Sequence, residues 1–248
     1  MKRLLAAFIF FTRLPFWRIA TVPSECFKHV VPYWPIVGWL TGGVLAGTLW
    51  LLAQVLPMQM AWIGAIIVRL LVTGCLHEDG LADFCDGFGG GTTRERTLAI
   101  MKDSHIGTYG VVGLILYFLL WSQMGTVIPL ATLCIVAFCA DVYAKWCVSH
   151  TVNLLPYARK EEESKAKVTY SRMTGAESLT GIVAGGIPLA FLLPAGLGWA
   201  CLCPPVVFLL LCGWMKRRIG GYTGDCCGAA FLLCELSFYV GVMVLLWK

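Results

Sequence analysis

The sequence predicts an all-α, polytopic helical membrane protein of about seven transmembrane helices, opened by a short N-terminal interfacial or re-entrant helix. Composition is the first ground: of 248 residues 58% are hydrophobic and only 13% charged, and the mean hydropathy is +0.77. A soluble domain does not carry that balance. The second ground is a series of apolar runs near the ~20 residues needed to cross a bilayer. The third is charge: lysine and arginine are confined to alternate links between those runs.

Residues 4–11 are apolar but too few to span, and Thr12, Arg13 and Pro15 interrupt them. Lys2 and Arg3 ahead of this core match the opening of a signal peptide. No small-x-small cleavage site follows, because Arg13, Pro15, Phe16, Trp17 and Arg18 stand where one is needed, so the segment is expected to be retained as an entry helix. The spans are read at residues 30–56, 60–76, 108–128, 130–149, 179–197, 199–214 and 228–247. Lys2, Arg3, Arg13, Arg18 and Lys28 precede the first, and Arg94, Arg96 and Lys102 follow the second. Arg159, Lys160, Lys165, Lys167 and Arg172 follow the fourth, and Lys216, Arg217 and Arg218 the sixth. The links near 56–59, 125–129 and 194–198 carry no charge. By the positive-inside rule the basic links face the cytoplasm and Lys248 lies outside, in a cytoplasmic (inner) membrane of a bacterial cell. No composition shift or fixed-period repeat divides the chain, so residues 1–248 read as one integral-membrane domain.

The twelve cysteines sit mostly within apolar runs, as Cys134, Cys139, Cys147 and Cys212 do, and behave there as small hydrophobes. Cys226 with Cys227 and Cys201 with Cys203 lack zinc-pair spacing. The run 160–165 reads as a solvated loop, with Arg159 and Arg172 flanking it within reach of an anion. Within the spans the charges are Arg69, Asp141, Lys145 and Glu235. Asp141 and Lys145, four apart on a helix, can pair. Glu235 is placed to share an interior with Asp225, and Arg69 to face the acids that follow it.

Those acids are the most informative feature. His77, Glu78, Asp79, Gly80, Asp83, Cys85, Asp86 and Gly87 follow directly on the apolar run 62–76. On a continuing helix at about 100° per residue, Asp79, Asp83 and Asp86 stand at roughly 0°, 40° and 340°, on one stripe. A lone aspartate at a membrane border is simply solvated, but three on one stripe repel one another unless a cation sits among them. Oxygen ligands favour Mg²⁺, or Mn²⁺. The spacing of a calcium hand is absent.

A second polar island runs from Arg94, Glu95 and Arg96 through Lys102, Asp103, Ser104 and His105 to Gly107 and Gly110. Asp103 is placed to complete the cation site from a second helix, and Arg94, Arg96, Lys102 and His105 to bind phosphate oxygens. Gly107 and Gly110 permit close backbone approach. A third island, residues 216–228, holds Gly220, Gly221, Tyr222, Thr223, Gly224 and Asp225, a glycine-rich helix start that favours an anion. Two classes fit: a phosphotransferase acting on an amphipathic diphosphate, and a divalent-cation transporter. A transporter needs acids at mid-bilayer, where only Asp141 and Glu235 stand, and the basic rim opposes cation conduction.

The block His77, Glu78, Asp79, Gly80, Leu81, Ala82, Asp83, then Asp86 and Gly87, resembles the acidic signature of the cobalamin synthases, the adenosylcobinamide-GDP ribazoletransferases. Met101, Lys102, Asp103, Ser104, then Ile106, Gly107, Thr108, Tyr109 and Gly110, resembles their second block. Thr12 to Pro15, Pro35 with Gly38, and Gly221, Thr223, Gly224 and Asp225 agree, so the likeness runs from end to end. His105 and Lys145 stand where that family usually has arginine, and neither replacement offers an arginine fork to phosphate. The resemblance implies a transferase of cobalamin biosynthesis. A hydroxyl of α-ribazole, or of its 5′-phosphate, attacks the cobinamide-side phosphorus of adenosylcobinamide-GDP and GMP leaves. It also implies Mg²⁺, held by Asp79, Asp83, Asp86 and Asp103, with Glu78, Asp83 or Asp103 in catalytic roles and Glu78 or another acid of the cluster taking the hydroxyl proton. Arg13, Arg94, Arg96, Lys102 and His105 would meet phosphate, and Asp225 would close the site or bind ribose. Other nucleotide-loop enzymes and further copies of the chain are the protein partners such a location allows, beside the lipid bilayer, and no nucleic acid is expected. A lipid synthase like the CDP-alcohol phosphotransferases shares Asp-Gly and spaced aspartates. It usually has Ala-Arg after the first Asp-Gly, whereas Ala82 is followed by Asp83.

Overall fold

The computed structural model describes residues 1–159 and 169–247. The charge run 160–165, Lys167 and the terminal Lys248 lie outside the described residues. Helix α1 (Lys2–Phe11) has 10 residues, about 15 Å at the usual rise, too short to cross a bilayer. It stops at the extended Thr12, whose hydroxyl donates back to the Phe8 carbonyl at 2.7 Å. Short 3₁₀ turns lead to α2 (Trp34–Leu52), which carries Pro35 in its first turn, where a missing N–H leaves no bond unmade.

Next come α3 (Met58–Thr73), α4 (Leu76–Gly90), α5 (Arg94–Lys102), α6 (Thr108–Val127) and α7 (Leu130–Ser149). The short α8 (Thr151–Leu154), α9 (Gly175–Gly186), α10 (Cys203–Ile219) and α11 (Gly224–Leu246) complete the order. Among the described residues the fold is all-helical, and six helical stretches there are long and apolar enough to cross a membrane, seven if α3 and α4 form one bent span. α2 packs along α7, α11 packs on α4, α7 and α10, and α3 lies against α2 and α6. Trp62, Trp121, Phe231 and Tyr239 fill the centre, while Leu71, Leu193, Trp199 and Leu210 face outward as lipid-facing side chains do.

Several boundaries shift by about four or five residues from the hydropathy reading, and two of the departures have a local cause. Span 60–76 does not continue straight into the acids: Gly74 and Cys75 both adopt left-handed backbone, and the chain turns by 90° between α3 and α4. The fifth span starts earlier than 179, because Thr174 and Glu177 form a capping box ahead of it. Its α-helix ends at Gly186, and Pro188, which lacks an N–H, lies in the 3₁₀ stretch that follows.

The basic links meet at one end of the bundle. Arg94 donates to the carbonyls of Ile219 (2.9 Å) and Ala158 (2.7 Å), and Arg218 donates to Gly91. Tyr222 N–H reaches Pro156 (3.0 Å), Ala158 N–H reaches Tyr222 (2.8 Å), and Ser171 N–H reaches Lys28 (2.9 Å). Segments distant in sequence are thereby tied into one polar face.

Candidate active site

A cavity of about 360 Å³ opens at this end, between α1, α2, α4, the residues Tyr157, Arg159 and Tyr170, and the start of α11. Arg13, Asp79, Arg159 and Asp225 line it with polar groups. Each is positioned by local backbone chemistry. Arg13 N–H donates to the Val72 carbonyl at 2.7 Å. Its side chain crosses the corner between α3 and α4, where a β-carbon on Gly74 (φ +65) would lie 2.3 Å from Arg13 Nε. Only glycine meets both demands there.

Asp79 sits in the first turn of α4, a favourable end for a carboxylate. The α4 and α11 backbones touch beside it: a β-carbon on Gly80 would lie 2.9 Å from the Asp225 carbonyl oxygen. That contact sets Asp79 and Asp225 on one wall. Thr223 caps α11 by accepting from Cys226 N–H, so the helix start, with its outward N–H groups, faces the cavity. Arg159 donates to the Leu98 carbonyl at 2.9 Å, which holds it over the mouth. Tyr170 also lines the cavity. Burial, then the neighbouring Cys227 and Tyr157, push its phenol well above the ordinary range, so it stays a neutral hydroxyl donor.

The other acids go elsewhere. Asp86 lies about 10 Å along α4 from Asp79 by helix rise and is buried. Its oxygens accept from the N–H groups of Gly107 (2.7 Å) and Gly110 (2.8 Å), capping α6 from outside. Asp103 ends α5 as its C-cap residue and is exposed. It accepts from His105 N–H at 3.0 Å and pairs with the His105 ring at 2.7 Å. Those contacts, the backbone one foremost, hold its carboxyl below the usual range. Asp86, Asp103, Arg96 and His105 line a separate shallow depression, and half-buried Asp83 lies between the two places along α4. Lys102 is exposed beside Arg94, whose guanidinium is engaged by the two carbonyls already named.

Glu78 is buried, 3.7 Å from Arg69, and does not line the cavity. Arg69 is hydrogen-bonded to Glu235 and, at 3.3 Å, to Asp141. Asp141 also pairs with Lys145 and accepts from Thr41 at 2.8 Å. Arg69 further stacks over Trp121, 4.3 Å from the ring centroid. Five charged side chains from four helices thus form one buried network in the bundle.

Among the described residues no three of His, Cys, Asp and Glu gather closely enough to hold a metal ion. The four aspartates Asp79, Asp83, Asp86 and Asp103 are therefore spread along α4 and the α5–α6 corner. A Mg²⁺ ion takes one or two carboxylates and fills its remaining positions with water and substrate phosphate. Asp79 and Asp225 on one wall, with Arg13 and Arg159 opposite a diphosphate's remaining charge, are a donor set of that chemistry. Of the residues singled out from sequence, the cavity gathers Arg13, His77, Asp79, Arg159 and Asp225, with Thr12 and Gly224 beside them, and not Arg172. Sequence reasoning missed Phe11, Trp34, Thr73, Tyr157 and Tyr170, which line it too. The adjacency of Trp34 to Pro35 was the one available signal.

The profile of a family described as cobalamin-5-phosphate synthase matches residues 3–243. The chain is 38% identical to an adenosylcobinamide-GDP ribazoletransferase of Leptothrix cholodnii, over 96% of this chain and 93% of that one. It is 35% identical to a protein of the same name from Ralstonia pickettii, over 94% and 92% of the two chains. With that of Shewanella amazonensis it shares 36% identity over 100% and 96%. No solved structure matches the chain.

Proposed function

Because the chain belongs to the cobalamin-5-phosphate synthase family, we propose that it is an adenosylcobinamide-GDP ribazoletransferase whose reaction takes place at the mouth of the 360 Å³ cavity. A hydroxyl of α-ribazole, or of its 5′-phosphate, forms a new P–O bond at the cobinamide-side phosphorus. The bridging P–O bond breaks, GMP leaves with its electron pair, and the hydroxyl proton passes to a base.

The observation that carries this reading is the cavity rim, where Arg13 and Arg159 stand with Asp79 and Asp225. The two guanidiniums bind diphosphate oxygens as planar forks and hold the phosphorus in line with the incoming hydroxyl. The first turn of α11 adds N–H groups toward the same anion. Asp79 lines the cavity and is exposed, so it is our choice for the proton acceptor, ahead of Glu78, which is buried and does not line it. A divalent ion, Mg²⁺ or Mn²⁺, held by Asp79 and Asp225, with Asp83 next along the helix, would supply charge neutralisation at the diphosphate. The basic links gathered at the site end support, by the positive-inside rule, a site on the cytoplasmic side of a bacterial inner membrane.

The test is direct. Purified protein given Mg²⁺, α-ribazole and adenosylcobinamide-GDP is expected to release GMP. Chelation should stop release, and Asp79→Asn should lower it by at least 100-fold while leaving the unfolding temperature unchanged. Absence of GMP from active, folded wild type, or transfer of a CDP-linked head group instead, overturns the reading.

A further inference from the structure

The cavity contains two chemistries stacked in depth. Arg13 and Asp79 at its rim are exposed and Asp225 and Arg159 half-buried, whereas Phe11, Trp34 and His77 at its floor are buried. The floor is built of flat rings in near-parallel order. Phe11 stacks on Trp34 with centroids 4.9 Å apart and planes at 8°, and His77 continues the stack 5.7 Å from Trp34 at 22°. Phe10 and Tyr170, edge to face at 6.0 Å, form a side wall. Two ring nitrogens of this floor, His77 Nε2 and Trp34 Nε1, are buried and have no hydrogen-bond partner among the described residues. A buried ring nitrogen left unmatched is unfavourable unless a ligand or water completes it.

We propose that this aromatic floor is the acceptor subsite and takes the apolar bicyclic base of the ribazole nucleoside, with His77 Nε2 bonding that base or its ribose. The large corrinoid donor stays outside, and only its diphosphate reaches the rim. This assignment rests on the transferase reading above and adds which substrate fills the cavity. Volume supports it, since about 360 Å³ is at the small end of ligand pockets of roughly 300–1,000 Å³. A nucleoside is of that size, and a corrin macrocycle with its amide arms is far larger. Polarity separates the two nucleosides involved. A guanine edge carries several donors and acceptors, and burying them against Phe11 and Trp34 with only the His77 and Trp34 ring nitrogens to meet them leaves most unpaired. A base edged with methyl groups has no such demand. Depth then sets the order of groups: base on the rings, ribose hydroxyls level with Asp79 and Asp225, a 5′-phosphate toward the arginines.

Equilibrium binding of α-ribazole to the purified wild type, without donor, tests this independently of turnover. Binding that GMP does not displace is expected. In steady state, His77→Phe, which keeps ring volume and removes the nitrogen, should raise KM for α-ribazole about tenfold and leave KM for adenosylcobinamide-GDP unchanged. If GMP displaces the nucleoside, or if His77→Phe moves only the donor's KM, the cavity belongs to the donor and the assignment falls while the transferase reading stands. If α-ribazole binds but no GMP is released in the full reaction, the transferase reading fails and the subsite remains. Should His77→Phe not fold, the wild-type competition decides alone.

Discussion

One oxygen of the Asp86 carboxylate accepts a hydrogen bond from the Gly110 N–H at 2.8 Å, and its partner oxygen accepts from Gly107 at 2.7 Å. An acid of α4 thus supplies the cap that α6 lacks in its own sequence. Asp86→Ala leaves two N–H groups of that first turn unmet and is expected to cost roughly 2–4 kcal/mol of stability. Asp86→Asn, which keeps one acceptor, should cost about half as much. Unfolding followed by tryptophan fluorescence in detergent measures both. Full stability of Asp86→Asn with lost GMP release would instead make Asp86 a ligand of the reacting groups.

Gly74→Ala should displace Arg13. The new β-carbon meets Arg13 Nε and takes a left-handed backbone that costs a non-glycine residue about 1–2 kcal/mol. GMP release is expected to fall at least tenfold. Arg13→Ala should fall as far, and the double variant no further, because both changes remove one interaction. Additive losses in this cycle would show that the corner acts by another route.

Arg69 compensates three buried carboxylates, Glu78, Asp141 and Glu235. Arg69→Met leaves them with Lys145 alone and is expected to destabilise by about 3–5 kcal/mol. Adding Asp141→Asn and Glu235→Gln should restore much of that loss. Thermal unfolding of the two variants compares them, and a silent Arg69→Met would mean that the network carries no net stability.

Asp103 titrates below its ordinary value near 3.8. A lowered folded value means that its contribution is complete above that ordinary value and is lost as pH falls through the lower, folded one. The protection factor of the His105 amide, whose N–H it accepts, is therefore expected to be higher near neutrality than at strongly acid pH, after division by the intrinsic exchange rate at each pH. In Asp103→Asn the pH step should vanish. A step that survives the substitution would locate it in another group.

The helical membrane architecture was legible because hydropathy reports spans directly and because the basic links do lie together. Asp79, Asp225 and Arg13, each in a polar stretch at a span's edge, could be singled out from sequence, and the structure brings them to one cavity. The fate of Asp86 was not: the stripe it shares with Asp79 says nothing about which acid meets a neighbour's backbone, and that depends on where α6 begins. Arg69 was placed in sequence to face the acids that follow it, and it meets Glu78; that Glu78 is thereby kept out of the cavity was not legible, because the corner between them is one that hydropathy does not mark. Gly74 hints at that corner, but Cys75, left-handed at φ 55, gives no sign in sequence. Tyr170 was hidden in a stretch whose charge run reads as solvated, and the Asp141–Lys145 pairing was plain from spacing alone.

The two left-handed residues between α3 and α4 have a mechanical effect on everything downstream. Run straight, the helix from Met58 to Gly90 would reach roughly 50 Å, well past a bilayer core of about 30 Å. Folded over by 90°, its second half lies across the first instead of prolonging it, and the start of that second half is carried against the start of α11. Deleting a single amino acid from the corner would keep the composition and swing every acid on that second half by about 100°.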